Sequence, residues 1–319
     1  MDVSIIVPAY NAARTIGACL EGLIRQTVPR ERYEIIVVDD GSRDETREMA
    51  GKHRVHLIVQ PHQGPAAARN RGVAEAKGEL VLFTDADCVP AQSWVEKMVR
   101  AFDDAQVMGV KGAYRTRQKG IIPRFVQCEY EHRYRRMAKQ SRIDFVDTYA
   151  AGYRRRVFLE EGGFDVRYPN ASVEDQDLSF RLAERGCKMV FAPKAVVYHQ
   201  HPRTLVAYFR RKFNIGYWKV MVLQRHPQKA VRDSHTPQSL KLQIVLAFML
   251  VPLLAVSPWL LLLDGALFGV TVLPFAVRAS RENPMVGLAS PLLVLLRAVA
   301  LGLGMLAGGW DLVVGKLRG

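Results

Sequence analysis

The chain has 319 residues, of which 49% are hydrophobic and 24% charged, enough for one large domain or two smaller ones with cores of their own. This composition excludes an intrinsically disordered or fibrous protein. The formal net charge is +14, and the excess lies in residues 111–240, which hold 26 basic and 12 acidic side chains. A positive excess of this size predicts an anionic partner.

Strand and helix patterns alternate from the N-terminus. Apolar, β-rich runs predict strands at residues 3–7, 34–38, 55–59 and 80–83, and helical patterns lie between them at residues 15–26, 44–52 and 65–77. The alternation predicts an α/β fold with a mostly parallel, Rossmann-like sheet between helices. Ligands of such sheets bind at the carboxyl ends of the strands. We expect three polar clusters to meet at that rim: residues 8–11, 39–42 and 84–87.

Two carboxylates follow the strand at residues 80–83. Asp85 and Asp87 flank Ala86, and a carboxylate pair at a strand end can hold Mg²⁺ while leaving positions open for diphosphate oxygens. The alternative is a capped turn without a metal.

A second carboxylate pair, Asp39 and Asp40, follows the neighbouring strand. The second of the two can accept hydrogen bonds from a base or a sugar. Ser42 and Glu45 match a capping box for the next helix, which explains those two residues but not two adjacent aspartates.

A third acidic cluster lies at the start of a helix predicted to end at Gly186. Glu174, Asp175 and Asp177 share its first turns, and crowding of carboxylates raises a pKa toward the range of a general base. Asp175 is therefore a candidate base. Ser172 and Asp175 also match a capping box, which is the structural alternative.

Basic and aromatic residues are interleaved between residues 111 and 219. We predict a basic amphipathic segment at residues 203–240 that lies in the headgroup region of a membrane, although a solvated helix face is the alternative. The residues expected to contact lipid there are Arg210, Arg211, Lys212 and Trp218.

The C-terminal residues 241–319 predict a membrane anchor. Residues 242–277 contain one charge, Asp264, and residues 285–310 contain one, Arg297. These lengths fit two or three crossings, with a turn near residues 257–258 or 264–265. An arginine inside a span is costly, so we expect either a tilted, partly interfacial helix or contact between Arg297 and a lipid phosphate.

Small residues and flanking charges add two expectations for this anchor. Gly265 with Gly269, and Gly304 with Gly308, are spaced to let membrane helices approach closely. Basic residues at both ends of the first apolar stretch favour the cytoplasm: Lys241, Arg278 and Arg281. Four cysteines without CxxC spacing, and no signal-peptide pattern before Val3, predict a reducing cytosolic setting for the first two thirds of the chain.

Six segments in a fixed order resemble the signature of family 2 glycosyltransferases with the GT-A fold. They are residues 3–11, 37–42, 64–70, 85–87, 162–165 and 174–178. The resemblance implies inverting transfer from a nucleotide-diphosphate sugar with Mg²⁺ or Mn²⁺. The Gln-x-x-Arg-Trp segment of the family's processive synthases has no counterpart here, which favours single transfers.

The resemblance also assigns roles to residues. Asp175 would be the catalytic base, and Asp87 would lie at the metal. Apart from the resemblance, Asp85 and His199 are further expected metal ligands, and a surface pair of His199 and His201 is the alternative for the histidine. Pro8, Tyr10 and Asp40 would border the base of the nucleotide, Arg69 would lie near its phosphates, and Asp85 would meet the ribose side. The full expected nucleotide-sugar site is Pro8, Ala9, Tyr10, Asn11, Asp40, Arg69, Asp85, Ala86, Asp87 and Glu174.

These expectations combine into a catalytic domain at residues 1–202, facing the cytoplasm of a bacterial cell from its inner membrane. The acceptor would be a polyprenyl phosphate or a polyprenyl-diphosphate glycan in surface polysaccharide synthesis. The alternatives are an inactive membrane scaffold that binds sugar nucleotides and a sugar nucleotidyltransferase. Nucleic acid is not expected as a partner, because the basic residues adjoin the membrane segment.

Overall fold

The computed structural model describes residues 2–168, 173–231, 233–234 and 236–317. The chain forms two compact units, one of Met1–Arg117 with Arg136–Gln200 and the other of Gln118–Arg135 with His201–Gly319. The catalytic domain expected at residues 1–202 included residues 118–135. In the structure these residues belong to the second unit. The reason is that Glu129, within this segment, forms ion pairs with side chains of later helices.

The described residues of the first unit contain eight strands in one sheet. They are β1 Val3–Ala9, β2 Tyr33–Asp39, β3 His56–Val59, β4 Leu80–Phe83, β5 Cys88–Pro90, β6 Val107–Arg115, β7 Ala151–Arg154 and β8 Lys188–His199. The spatial order is β3-β2-β1-β4-β7-β6-β8-β5. Parallel pairing joins β3, β2, β1 and β4, and also β6 with β8, whereas β7 and β5 pair antiparallel. The four strands predicted from apolar runs are confirmed as the parallel part of the sheet, in which β1, β2 and β4 are largely buried and β3, at the edge, is partly exposed.

Twelve α-helices lie in the described part of the chain. They are α1 Ile16–Ile24, α2 Thr46–Gly51, α3 Pro65–Glu75, α4 Trp94–Arg100, α5 Ile121–Met137, α6 Arg155–Glu160, α7 Glu174–Glu184, α8 Leu205–Arg225, α9 Gln228–Val231, α10 Gln238–Val256, α11 Pro258–Glu282 and α12 Pro284–Val313. The first seven, apart from α5, belong to the first unit.

The parallel register brings the predicted polar clusters to one edge of the sheet. Ala9 pairs with Asp39, and Ile6 with Phe83, so β1, β2 and β4 all end on the same side. Helix α3 packs closely against β1, since a Cβ at Gly72 would overlap Ile6. The rim therefore rests on a tightly packed support.

The second unit contains three helices long and apolar enough to cross a membrane within the described residues. They are α10, α11 and α12; most residues of α10 and α11 are exposed, including Val251 at 76% and Trp259 at 78%, whereas α12 is more buried. The break between α10 and α11 falls at Ser257 and Pro258, the first of the two predicted turns. The other predicted turn, Asp264-Gly265, lies inside α11.

Glycines let α8 and α12 approach closely. A Cβ at Gly304 would overlap the carbonyl oxygen of Phe213, and one at Gly308 would overlap that of Tyr217, so this predicted pair is confirmed. Gly265 and Gly269 differ from the prediction, because a Cβ there would meet no neighbouring element within 4 Å in the described part of the chain.

Arg297 lies in the protein interior, which corrects both expectations for it. Its guanidinium donates to Glu129 Oε1 at 2.8 Å and to Gln243 Oε1 at 2.7 Å. The other Glu129 oxygen lies 3.0 Å from Lys212 Nζ. Burial raises the pKa of Glu129, but the neighbouring cations Lys212 and Arg297 outweigh it and lower that pKa to about 2. An ionised carboxylate therefore compensates both cations.

Replacing Gly304 by alanine is expected to destabilise the second unit, because the new methyl group collides with the α8 backbone. We expect a cost of about 1–3 kcal/mol, measured as a lower melting temperature of the full chain in detergent. The matched control is Gly309→Ala on the same helix, where the methyl group enters open space. Equal melting temperatures of the two variants would contradict the close packing of α8 on α12.

Candidate functional site

Asp40 orders the loop between β3 and α3. Its Oδ1 accepts hydrogen bonds from the side chain of Gln60 at 2.7 Å and the backbone N–H of Gln63 at 2.9 Å. Its Oδ2 accepts from the backbone N–H of Gly64 at 2.9 Å and lies 2.8 Å from His62 Nδ1. The carboxylate is almost fully buried. Both oxygens of the Asp40 carboxylate therefore already have hydrogen-bond partners within the protein. A nucleotide base bound here would lie beside this carboxylate.

Tyr10 presents an exposed aromatic ring at this rim. It is 45% exposed and stacks on His62, with ring centroids 4.2 Å apart and planes at 24°. A flat aromatic surface of this kind suits stacking with a heterocyclic base. Pro8 and Ala9 lie within β1 beneath it and contribute backbone to the rim rather than an exposed side chain.

Asn11 and Ser42 lock the loop after β1 to the loop after β2. The backbone N–H of Asn11 donates to Ser42 Oγ at 2.9 Å, and the N–H of Arg43 donates to Asn11 Oδ1 at 2.9 Å. Asn11 has φ +49°, a left-handed conformation that asparagine tolerates. The predicted capping box of Ser42 and Glu45 is wrong, because Glu45 is itself the residue before α2 and Ser42 bonds to Asn11 instead.

Arg69 is a buried cation held by two carboxylates. It is 2% exposed, donates to Asp85 Oδ1 at 2.8 Å and to Glu174 Oε1 at 3.0 Å, and so joins α3, the loop after β4 and α7. Its Nε atom is buried without a hydrogen-bond partner among the described residues. The predicted residues Arg69, Asp85 and Glu174 are thus brought together, with the charge of Arg69 already shared by two anions.

Asp87 and His199 meet at the other side of the loop after β4. Antiparallel pairing of β5 with β8 places Cys88 opposite His199, and His199 Nε2 lies 3.0 Å from Asp87 Oδ2. Ligand atoms of Asp87, Cys88 and His199 lie within 4.8 Å of one another. Burial raises the pKa of the Cys88 thiol, which therefore stays protonated. The Asp87 oxygen suits Mg²⁺ or Mn²⁺, whereas the His199 nitrogen is a poor ligand for Mg²⁺ and therefore favours Mn²⁺ of the two.

Asp85 and His201 do not pair with Asp87 as His199 does. Asp85 forms its ion pair with Arg69 and remains 30% exposed, so one face of its carboxylate is open. His201 belongs to the second unit, where its Nε2 lies 3.1 Å from Gln127 Oε1. Of His199, the last residue of β8, and His201, His199 is the one that lies beside Asp87.

Asp175 is a carboxyl group in a charged, poorly solvated place. It follows Glu174 at the start of α7, and its Oδ1 atom is buried without a hydrogen-bond partner in the described ranges. Burial and the Glu174 carboxylate raise the pKa of Asp175 to about 7, against the opposing effect of Arg69 and Lys111. Ser172, the other half of the predicted capping box, lies outside the described residues. The carboxyl is poised to exchange a proton near neutral pH.

Lys111 was not identified from the sequence. It lies on β6, is 1% exposed and pairs with Asp147, while its Nζ lies 3.4 Å from the hydroxyl of Tyr149. The only local signal is a lysine in the middle of the apolar run at residues 107–114. Such a residue draws attention because an unpaired lysine is almost never buried.

The predicted lipid-binding residues lie on α8 in the second unit. Arg210 is exposed, and Arg211 and Trp218 are half-buried. The ammonium of Lys212 differs from the prediction, because it is nearly buried and pairs with Glu129 rather than facing outward. A buried carboxylate competes more strongly for that ammonium than a solvated headgroup does.

Known proteins resemble the chain in sequence and in fold. Residues 4–162 match the glycosyl transferase family 2 sequence model. The pre-mycofactocin glycosyltransferase of Mycobacterium tuberculosis is 31% identical over 239 residues, which are 72% of this chain and 49% of that protein. The glycosyltransferase AglE of Haloferax volcanii is 40% identical over 116 residues, 34% of this chain and 38% of that protein. The chain thus spans about half or less of these curated relatives.

Among solved structures, the mannosyltransferase PcManGT from Pyrobaculum calidifontis, in complex with GDP-Man and Mn²⁺, superposes with a TM-score of 0.61. The similarity covers 99% of this chain and 88% of that one at 22% identity, so it shows the fold alone. The curled, mostly parallel sheet with flanking helices is the predicted GT-A fold. Together with the sequence match over residues 4–162, it establishes that the chain belongs to glycosyl transferase family 2.

Proposed function

We propose that the protein is an inverting glycosyltransferase that moves one sugar from a nucleotide-diphosphate sugar to a polyprenyl-linked acceptor. The observation that carries the proposal is Asp175, a carboxyl group with a buried, unpartnered oxygen and a pKa of about 7. It lies next to Glu174, whose ion pair with Arg69 ties it to Asp85 at the sheet rim. Family membership supplies the reaction class.

Asp175 would accept a proton from the acceptor group that attacks the sugar. Attack from the face opposite the leaving nucleoside diphosphate inverts the anomeric centre, and a base on that side assists it. Tyr10 would stack on the nucleotide base, and the loop ordered by Asp40 would border it. Arg69 would hold Asp85 and Glu174 in place at the phosphate side.

Asp87 and His199, with the open face of Asp85, would hold a divalent cation. Mg²⁺ or Mn²⁺ bound there would neutralise charge that builds on the leaving diphosphate. Two observations support this assignment: the donor atoms of Asp87 and His199 lie together, and PcManGT binds Mn²⁺ with GDP-Man.

The membrane helices support a lipid-linked acceptor. The chain has three apolar helices that could cross a membrane, and Arg210 on α8 is an exposed cation. Both features suit an acceptor that is itself anionic and held in a membrane. Lys241 at the start of α10, and Arg278 and Arg281 at the end of α11, favour a cytoplasmic location for these helix ends. We accordingly propose a multi-pass protein of the bacterial inner membrane in surface glycoconjugate synthesis.

The first test measures nucleoside diphosphate released by detergent-purified protein from a panel of UDP-, GDP- and dTDP-sugars. We expect release from one donor, its loss with EDTA and its increase with polyprenyl phosphate. No release from any donor, with nucleotide binding retained, would overturn the proposal in favour of an inactive scaffold. Formation of a nucleotide sugar from a sugar phosphate would indicate a nucleotidyltransferase instead.

Asp175→Asn is expected to lower the transfer rate by about 10²- to 10⁴-fold, because the amide cannot accept the proton. Nucleotide affinity should stay within about twofold, measured by calorimetry. In the unaltered protein the rate should rise with pH through about 7, where the Asp175 carboxyl loses its proton. The control is Glu184→Gln, an exposed change at the other end of α7; transfer by Asp175→Asn equal to this control would contradict the base assignment.

Charge reversal on α8 is expected to lower transfer to the lipid acceptor without lowering hydrolysis of the sugar donor. Arg210→Glu with Arg211→Glu should lower transfer to polyprenyl phosphate by about tenfold or more, because roughly 1 kcal/mol is lost for each basic residue near an anionic surface. Hydrolysis of the donor should change little. The control is Lys97→Glu with Arg100→Glu on α4, an equal change of charge in the first unit, and equal loss of both activities in the α8 variant would refute the lipid contact.

A further inference from the structure

Cys88 adds to the proposed metal site a thiol that the proposed mechanism does not use. The residue is the first of β5, follows Asp87 directly and is fully buried. The side chain of Asp87, in contrast, is 46% exposed, so the cluster opens to solvent at that carboxylate. A cation can therefore reach the thiol from the side of Asp87.

Strand pairing holds the thiol beside the imidazole of His199. Cys88 and His199 are opposite residues of the antiparallel strands β5 and β8, so their side chains lie on the same face of the sheet. Cys88 Sγ lies 3.8 Å from Asp87 Oδ1, and His199 Nε2 lies 3.0 Å from Asp87 Oδ2. The His199 ring stacks on Tyr114, with centroids 5.0 Å apart, which fixes its orientation. Sulfur, nitrogen and oxygen atoms are thus held together by the fold.

The separations of these atoms are close to those around a tetrahedral Zn²⁺ ion. Bonds of about 2.0–2.2 Å to oxygen or nitrogen and about 2.3 Å to sulfur place neighbouring ligand atoms roughly 3.3–3.8 Å apart. Ligand atoms of Asp87, Cys88 and His199 lie within 4.8 Å of one another. Rotation of the half-exposed Asp87 side chain is a small change that brings the three atoms to this geometry.

The three ligand types select a different class of cation from the one in the proposed reaction. Thiolate and imidazole ligands favour Zn²⁺, whereas Mg²⁺ binds oxygen ligands and keeps several waters. Zn²⁺ also binds a given set of nitrogen, oxygen and sulfur ligands more tightly than Mn²⁺ does. The thiol of Cys88 therefore shifts the preference of this cluster towards Zn²⁺.

We propose that Asp87, Cys88 and His199 form an inhibitory Zn²⁺ site that overlaps the proposed site of the catalytic cation. The inhibition rests on the proposed function, in which Asp87 and His199 hold Mg²⁺ or Mn²⁺, whereas the Zn²⁺ site rests on the contacts alone. When Zn²⁺ binds, the S–H bond of Cys88 breaks, a Zn–S bond forms and the proton passes to water. His199 binds through Nε2 and keeps its proton on Nδ1.

The number of protein ligands explains why Zn²⁺ inhibits transfer. A tetrahedral ion with three protein ligands has one position left. An octahedral Mg²⁺ or Mn²⁺ ion held by the same small group of side chains keeps several positions open. Chelation by the two phosphates of a nucleoside diphosphate needs two neighbouring positions. Zn²⁺ bound to Cys88 therefore blocks productive binding of the donor.

The first test uses Co²⁺ in place of Zn²⁺, because the absorption spectrum of Co²⁺ reports a thiolate ligand. The metal-free full chain in detergent is titrated with Co²⁺, and we expect a sulfur-to-cobalt charge-transfer band in the near ultraviolet that added Zn²⁺ removes. Cys88→Ser should lose this band. Its affinity for Zn²⁺, measured by competition with a chromophoric chelator, should fall about 100-fold or more, since groups that only hydrogen-bond a metal ligand already contribute about 10- to 100-fold.

The matched control is Cys128→Ser with Cys187→Ser, which removes the two partly buried thiols outside this cluster. The charge-transfer band should remain in this control. Cys88→Ala, which introduces no buried hydroxyl, should give the same spectrum as Cys88→Ser. A band that survives both changes of Cys88, or that disappears in the control, would overturn the inference.

The effect on transfer is measured separately, with the donor that supports transfer and with saturating Mn²⁺. Zn²⁺ should inhibit the unaltered protein, and Cys88→Ser should need about tenfold more Zn²⁺ or more to lose half of its own rate. Equal sensitivity of the two proteins would refute the inhibitory role of the site. Absence of transfer by the unaltered protein with every donor would overturn the proposed function and the inhibition with it, whereas the Co²⁺ spectrum would still decide the metal site.

Discussion

The ion pairs of Arg69 with Asp85 and Glu174 constrain the rest of the first unit. An arginine that is 2% exposed is tolerated only where anions satisfy it, so α3, the loop after β4 and the start of α7 must meet at this guanidinium. Asp175 follows Glu174 directly, and its position is fixed as a result. The same arrangement explains its chemistry, since Glu174 crowds Asp175 while Arg69 compensates only in part.

In the second unit, too, a buried charge is stabilised by ion pairs, here among apolar helices. Glu129 is shared by Lys212 and Arg297, and these ion pairs bring α5 to helices far along the chain. Close packing then completes the arrangement, because Gly304 and Gly308 allow the backbones of α8 and α12 to touch. Charge compensation and small side chains together hold helices that otherwise expose apolar surface.

Predictions from local pattern were accurate wherever neighbouring residues decide the structure. The four parallel strands, the helices between them and the apolar C-terminal helices follow from periodicity and length. The prediction of a capping box at Ser42 was wrong because a tertiary hydrogen bond to Asn11 replaced the local one. The expectation for Arg297 was wrong for a related reason: its partner lies on α5, 168 residues earlier in the chain.

Residue order alone is enough to predict the GT-A-like alternation of strands and helices, the carboxylates at the strand ends and the membrane-compatible C-terminal helices. These features depend on local apolar patterns and on the polar residue types found at the carboxyl ends of strands, where ligands bind. Which charges form ion pairs depends instead on the fold: Arg69 pairs with Glu174 across 105 positions, and Lys111 pairs with Asp147 inside the sheet. The physical reason is that burial makes an unpaired charge costly, and burial is a property of the folded chain rather than of any segment within it.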